Sequence, residues 1–95
     1  METNESKIFK NLPPQLPALM YALDIYKKAI KAEVEDQGDW DQAQVTTLSE
    51  GLDEEKAGRV FFEWVGACRK AGIDPESALR KFSSQQVKKI EGCNA

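Results

Sequence analysis

The junction Gly-Ile-Asp-Pro at residues 72–75 divides the second half of the chain into two helices. Gly72 can adopt the left-handed conformation that closes a helix, because glycine has no Cβ to clash with the backbone. The carboxylate of Asp74 can accept hydrogen bonds from backbone N–H groups one turn ahead, as an N-cap does. Pro75 then stands where a missing N–H costs nothing. The junction therefore predicts one helix that ends before it and another that begins at Pro75.

The segment before this junction has the spacing of an amphipathic helix. Asp53 has the side chain of an N-cap, and Glu54 and Glu55 follow at the positive end of the helix dipole. Apolar residues then recur at steps of three and four, which places them on one helical face: Ala57, Val60, Phe61, Trp64, Val65 and Cys68. We interpret this segment as the central core helix, with Phe61 and Trp64 as core or interface side chains.

The segment after the junction predicts a second long helix, from Pro75 to about Glu91. Its apolar residues at helical spacing are expected to face the core: Ala78, Leu79, Phe82, Val87 and Ile90. Its four basic residues, Arg80, Lys81, Lys88 and Lys89, are interpreted as the solvated face of the last helix of an acidic protein.

A third long helix is predicted near the N-terminus, from about Pro17 to Glu35 and ending before Gly38. Its apolar residues form two adjacent stripes. The first is expected in the core or at an interface: Leu16, Leu19, Leu23, Tyr26 and Ile30; the second comprises Ala18, Ala22, Ile25, Ala29 and Ala32. Residues 1–13 are mostly polar and predict a flexible arm. Between the long helices, Asp41 is predicted to cap a short helical segment with Val45 and Leu48 facing inward.

No strand-like alternation of apolar and polar residues occurs along the chain. We therefore predict an all-α fold, a small antiparallel bundle of three long helices and a short one, formed by a single domain over residues 14–95. A chain of 95 residues buries only about 60–65% of its unfolded surface, which makes it marginally stable alone. An isologous dimer with four-helix packing is expected to complete the bundle.

Composition excludes several function classes. The chain contains no histidine, which removes the usual general base and the commonest zinc ligand. A net charge of −3, from 13 basic and 16 acidic residues, gives no electrostatic basis for general nucleic-acid binding. Two cysteines, Cys68 and Cys93, do not make a disulfide framework. No signal-peptide pattern or long apolar run is found, so we expect a cytoplasmic protein without a membrane partner.

Two blocks of the sequence resemble the C-terminal domain of MazG-type nucleoside triphosphate pyrophosphohydrolases. The first block contains Leu16-Pro17-Ala18-Leu19, Ala22, Ile25, Lys28-Ala29, Lys31 and Gly38-Asp39-Trp40. The second runs from Glu54 through Gly58, Phe62, Arg69, Gly72-Ile73-Asp74-Pro75-Glu76 and Ala78-Leu79-Arg80 to Glu91. The resemblance implies an all-α fold that assembles into dimers or larger oligomers. It also implies descent from enzymes that use magnesium to cleave nucleotides between the α- and β-phosphates.

The carboxylates that such enzymes need are missing from the matching positions. That family typically carries Glu-Glu-x-x-Glu on one helix and Glu-x-x-Asp on the next, which bind magnesium through oxygen. Here the second pattern falls on Lys56 and Arg59, and the first has no counterpart because too few residues separate Trp40 from Gly58. At an effective dielectric near 20, each such cation about 4 Å from a dication costs several kcal/mol. The resemblance thus implies a degenerate site with no catalytic residue, metal or other cofactor.

Other residues keep alternative sites open. The acidic residues Glu50, Glu54 and Glu55 could hold magnesium if the helix continued across Gly51, although acids at a helix N-terminus are ordinarily capping and dipole partners. Lys56 and Arg59 could contact phosphates directly. Trp40, which follows a Gly-Asp pair, is the better candidate of the two tryptophans for stacking on a nucleobase.

Three functions are compatible with the sequence. We favour a catalytically lapsed MazG-like domain that acts as an oligomerisation, nucleotide-binding or protein-binding module, most simply as a homodimer. The first alternative is a magnesium-dependent nucleoside triphosphate pyrophosphohydrolase with a re-sited carboxylate cluster. The second is a helical adaptor for another protein. The missing carboxylates argue against the first alternative, and the wide apolar face of the first helix supports self-association.

Overall fold

The computed structural model of the chain describes residues 8–9 and 16–93, and this part is helical throughout, without strands. Its four α-helices are α1 (Ala18–Lys31), α2 (Gln42–Ser49), α3 (Glu54–Ala71) and α4 (Pro75–Cys93). A single 3-10 turn, Glu35–Gln37, follows α1. The predicted fold class, a small all-α helical bundle with three long helices and a short one, is confirmed.

The helix boundaries are set by the predicted caps. The Asp41 and Asp53 carboxylates each accept a hydrogen bond from the backbone N–H three residues ahead, at 3.2 and 2.8 Å. Gly72 adopts the left-handed conformation with φ 77° and closes α3. The carboxylate of Asp74 accepts from the N–H of Glu76 at 3.0 Å and begins α4. These four side-chain and backbone roles were all readable from local sequence.

Helix α1 ends four residues earlier than predicted. The chain leaves the helix at Lys31, and Glu33 takes a left-handed conformation with φ 57°. This reversal turns Val34 into the core, where only 6% of its surface is exposed. The 3-10 turn and Gly38 follow as a connection to α2.

Helices α1 and α4 form the central pair of the fold, and they run in the same direction. At their N-terminal ends, the Ala18 N–H donates to a Glu76 carboxylate oxygen at 2.8 Å. Further along, the hydroxyl groups of Tyr21 and Ser84 are hydrogen-bonded at 3.1 Å. The predicted antiparallel arrangement is therefore wrong for this pair, because a connection of more than forty residues gives the chain room to return to the starting end.

The core between these helices is built from small residues of α1. Ala18, Ile25 and Ala29 of the second stripe are buried, together with Ile90 of α4. By contrast Leu19, Leu23 and Ile30 of the first stripe are 56, 58 and 38% exposed, while Leu16 and Tyr26 are half-buried. The leucine stripe, predicted to lie in the core or at an interface, therefore does not fill the core of the single chain, and its place at an interface stays a prediction. Alanine side chains let the two backbones approach closely, which leaves the bulkier leucines on the outside.

Helix α4 presents a face that matches the predicted one only in part. Ile90 is buried and Val87 packs against the core, as predicted, whereas Phe82 is 41% exposed and Ala78 is exposed. Ser83 and Gln86, which were not predicted to face the core, are buried. The buried Gln86 side chain is tolerated because it finds hydrogen-bond partners in the connection between α1 and α2. In particular, the Gln86 carbonyl oxygen accepts from the backbone N–H of Asp39.

The N-terminal segment contributes one residue to the core. Phe9 is 3% exposed and packs with Ile25, Ala29, Val34 and Ile90. The prediction that residues 1–13 form a flexible arm is therefore wrong at Phe9, whose ring fills space that the small residues of α1 leave open. The remaining residues of that predicted arm, apart from Ile8, lie outside the described part of the chain.

Helix α3 is not the central core helix. It contains no buried residue, and within the described residues its only substantial contact with another helix is with α4. Consistent with a projecting helix, the radius of gyration is 14.7 Å, against about 12 Å expected for a compact domain of this length. Within the described residues α3 buries none of its apolar face completely, and the large side chains of that face remain 38–67% exposed.

Candidate functional site

The two most exposed large apolar side chains of the described chain, Phe62 and Trp64, lie on α3. We define the α3 face as Ala57, Val60, Phe61, Trp64, Val65 and Cys68. Phe61 and Trp64 lie at its middle and are 55 and 67% exposed, and Val60 and Val65 flank them at 38 and 48%. The α3 face was correctly predicted as a single surface, but its assignment to the core was wrong because no helix covers it.

Phe62 widens this surface and was missed by the sequence analysis. It is 77% exposed, more than any other large apolar residue that the structure describes. Successive helical residues point about 100° apart, so the pair Phe61–Phe62 extends the apolar arc of α3 well beyond the width that one neighbouring helix covers. That adjacent pair was the signal in the sequence that α3 has more apolar surface than a small bundle can bury.

The two ends of α3 carry opposite charges. Glu54 and Glu55 lie in the first turn, next to the capping carboxylate of Asp53, and Arg69 and Lys70 lie in the last turn. Each charge is favourable at its own helix end, because acids suit the positive N-terminus and bases the negative C-terminus. The α3 face is therefore an apolar strip with an acidic and a basic end.

Lys56 and Arg59, the cations at the degenerate positions, lie in the N-terminal half of α3 and are exposed. Arg59 points about 200° around the helix from Ala57, so it lies on the side opposite the α3 face. Neither side chain forms an ion pair within the described part of the chain. Their positive charge is thus presented to solvent.

The acidic residues Glu50, Glu54 and Glu55 do not converge. Helix α2 ends at Ser49 and α3 begins at Glu54, and Gly51 between them has a left-handed conformation with φ 70°. The helix does not continue across Gly51, so Glu50 and Glu54 are not stacked on one helical turn. Among the described residues, no group of three or more His, Cys, Asp or Glu side chains could hold a metal ion.

Trp40 belongs to a second feature, an apolar cavity of about 210 Å³ between α1, α2 and α4. The Trp40 indole N–H donates to the Gln42 side chain at 2.8 Å, and Gln42 donates to the Tyr26 hydroxyl at 2.8 Å. The ring centroids of Trp40 and Tyr26 lie 5.9 Å apart, and the planes of the two rings are tilted by 53° relative to each other. These bonds fix the orientation of Trp40, which forms one wall of the cavity opposite Phe82.

Gln86 and Gly38 support this cavity and were not singled out from the sequence. Gln86 is 2% exposed and bonds to Asp39 through both its side-chain oxygen and its side-chain nitrogen. A Cβ atom at Gly38 would overlap the ring of Trp40. The close approach explains the glycine, since φ at Gly38 is an ordinary −87°.

Comparison of the chain with models of protein families, with curated proteins and with solved structures gave no significant match. The resemblance to the pyrophosphohydrolases thus depends on the sequence blocks described above. Within the described residues, no helix is both long enough and apolar enough to cross a membrane.

Proposed function

We propose that this chain is a catalytically lapsed helical module, related to the MazG-type pyrophosphohydrolases, which binds protein through the α3 face. The observation that carries the proposal is that α3, a helix of 18 residues, buries none of them while exposing Phe61 and Trp64 side by side. Such a surface is costly in water unless a partner covers it.

The size of the exposed aromatic surface supports this function. With about 200 Å² for each phenylalanine and about 250 Å² for tryptophan, the exposed fractions of Phe61, Phe62 and Trp64 correspond to about 430 Å². Monomeric soluble proteins rarely expose contiguous apolar patches above a few hundred Å², and patches of that size usually mark interaction sites. Aromatic residues are also the side chains most enriched among the anchors of protein interfaces.

The charge of α3 supports the loss of catalysis. By the resemblance, Lys56 and Arg59 stand at the positions of the magnesium-binding carboxylates. Both side chains are exposed to solvent. The alternative acidic cluster is split by the left-handed residue Gly51. A triphosphate substrate would still meet positive charge here, so binding of nucleotide alone would not indicate catalysis.

The first test determines whether the α3 face is exposed in the folded chain or is buried and needed for folding. The double variant Phe61→Gln, Trp64→Gln is expected to keep its far-UV circular dichroism and a cooperative unfolding transition in dilute solution. Ile90→Gln serves as the matched control, since Ile90 is fully buried and an unpaired buried amide is strongly destabilising. An unfolded α3 double variant would show that the face is needed for folding and would refute the proposal.

The second test concerns catalysis. Purified chain is expected to release no pyrophosphate from a panel of nucleoside triphosphates, with or without magnesium, because residues 8–9 and 16–93 contain no set of converging carboxylates to bind the ion. The control is the double variant Glu54→Gln, Glu55→Gln. Turnover that requires magnesium and disappears in this variant would instead establish the re-sited hydrolase.

The cavity at Trp40 favours a second candidate function, the binding of a flat aromatic molecule such as a nucleobase. The chain contains two tryptophans, so Trp64→Phe leaves Trp40 as the only indole fluorophore. Titration of this variant with nucleosides is expected to quench its fluorescence saturably, because a ligand in the cavity would contact the indole ring. A strictly linear response, equal to that of free tryptophan, would reject this candidate.

A further inference from the structure

We propose that the partner of the α3 face is a second copy of this chain, and that the two α3 helices pair antiparallel about a two-fold axis between Phe61 and Trp64. The proposal rests on the proposed function of the α3 face as a binding surface. It adds the identity of the partner, the relative direction of the helices and the residue register, none of which follows from exposure alone.

The register follows from the spacing of residues along α3. Ala57, Phe61, Trp64, Cys68 and Ala71 are separated by steps of four, three, four and three, the spacing of a coiled-coil seam. The first four of these residues are symmetric about the midpoint between Phe61 and Trp64, whereas Ala71 mirrors Glu54. In an antiparallel pair centred there, Phe61 of each copy faces Trp64 of the other, and Ala57 faces Cys68.

This register places the large side chains at the centre of the contact. The two Phe61 and two Trp64 rings meet around the axis, which is where the anchor residues of protein interfaces cluster. Val60 and Val65 border the rings on either side, and alanine and cysteine occupy the seam towards both ends. The seam is then apolar from Ala57 to Cys68 of each copy, and Ala71 beyond it faces Glu54 of the other copy.

Charge decides the direction of pairing. In the antiparallel register Glu55 of each helix comes beside Lys70 of the other, with Asp53 and Glu54 near the same basic last turn, and the one like-charge pair is Lys56 beside Arg69. A parallel pair would place acid beside acid and base beside base. Charge complementarity across an interface fixes orientation and suppresses the wrong arrangement, so the antiparallel pair is favoured. The helix dipoles also favour the antiparallel pair, because each positive end lies beside the negative end of the other helix.

The apolar surface area that pairing of the two α3 helices would bury predicts a dimer of moderate affinity. Burial of Phe61 and Trp64 in both copies would remove about 550 Å² of aromatic surface from water, and the flanking valines add to it. Stable interfaces bury about 1,200–2,000 Å² in total. We therefore expect a dissociation constant in the micromolar range and a mixture of monomer and dimer at ordinary working concentrations.

The oligomeric state is the first measurement. Light scattering and sedimentation of the full chain, from about 1 to about 300 µM, are expected to show a mass that rises with concentration from 10.7 kDa towards twice that value. Trp64→Ala should weaken dimerisation by at least about 30-fold, as loss of a central anchor does. Phe62→Ala is the matched control, since Phe62 is more exposed but lies outside the seam, and it should change the dissociation constant less than about threefold.

The register is tested by cross-linking. In a Cys93→Ser background, Ala57→Cys is expected to give a covalent dimer on mild oxidation, with position 57 of one copy linked to Cys68 of the other. Arg59→Cys, on the opposite side of α3, is the control and should cross-link far more slowly. Peptide mapping that instead finds links between identical positions, 57 to 57 or 68 to 68, would overturn the antiparallel register.

The outcomes separate this inference from the proposed function. A chain that stays at 10.7 kDa over the whole concentration range, while the Phe61→Gln, Trp64→Gln variant remains folded, would overturn the homodimer. It would leave the α3 face as a binding surface for a different protein. An unfolded double variant would overturn both proposals. Equal effects of Trp64→Ala and Phe62→Ala on dimerisation would overturn the seam.

Discussion

Truncation of Ile90 should cost far more stability than truncation of the larger Trp64. Ile90 is fully buried against Phe9, Ile25, Ala29 and Val34, whereas Trp64 is 67% exposed. A ranking by residue size and helical periodicity would place the tryptophan first. The structure reverses that ranking, because only the isoleucine lies where its removal leaves a hole.

The magnitudes follow from burial. Ile90→Ala removes three carbon groups at about 0.8 kcal/mol each, or about 2.4 kcal/mol. The cavity that remains raises the loss to about 3–4 kcal/mol. Truncation of a buried tryptophan costs about 3–5 kcal/mol, and since only a third of Trp64 is covered, Trp64→Ala should cost about 1 kcal/mol. A domain of this length has only about 5–14 kcal/mol of stability, so Ile90→Ala should remove between about a fifth and about four fifths of it.

The assay is urea denaturation followed by far-UV circular dichroism, at about 1 µM and again at about 100 µM. The loss for Ile90→Ala should be the same at both concentrations, because Ile90 lies inside one chain. Under the proposed dimerisation the loss for Trp64→Ala should grow with concentration, because the wild type would gain stability from association and the variant would not. A loss of 3 kcal/mol or more for Trp64→Ala at about 1 µM would mean that α3 packs within the single chain.

Three further substitutions test local features of the fold by the same denaturation assay. Asp74→Ala should lower the free energy of unfolding by about 0.5–2 kcal/mol, because it removes the cap of α4; an unchanged midpoint would show that the helix begins without it. Gly38→Ala should cost about 1–3 kcal/mol, since the added methyl group overlaps Trp40, and a neutral result would mean that the ring moves aside freely. Gln86→Met should cost about 1–3 kcal/mol by leaving the partly buried N–H of Asp39 without its acceptor, and a gain in stability would contradict that bond.

Local chemistry made the helix boundaries predictable. The caps at Asp41, Asp53 and Asp74 and the left-handed Gly72 depend on backbone groups within four residues, so the sequence carries the whole signal. The end of α1 escaped prediction, because Glu33 has no residue-specific preference for its left-handed conformation. The backbone conformation at Glu33 instead depends on the burial of Val34, and the residues that bury Val34 include ones that are distant in the sequence.

The choice of partner for each apolar face was not predictable in the same way. Periodicity identifies an apolar stripe on α1 or α3, but it does not say which other surface meets that stripe. On α1 the alanine stripe, and not the leucine stripe, packs against α4, because alanine side chains let the two helix backbones approach closely. On α3 the same spacing suits a core helix and a seam between two chains equally. The Trp40 cavity depends on Gln86, whose partner Asp39 is 47 residues away.

The hydrogen bond from the Ala18 N–H to Glu76 links the start of the first helix to a residue that the ribosome adds much later during synthesis. The two residues are 58 positions apart, and Pro17 offers no side chain to cap α1 in the meantime. At a synthesis rate of about 5–20 residues per second, the N-terminus of α1 waits about 3–12 s for its acceptor. During that interval α1 exposes the alanine stripe that α4 will cover. A nascent chain halted before Glu76 is therefore expected to hold α1 as a frayed helix, exposed to proteases until α4 is complete.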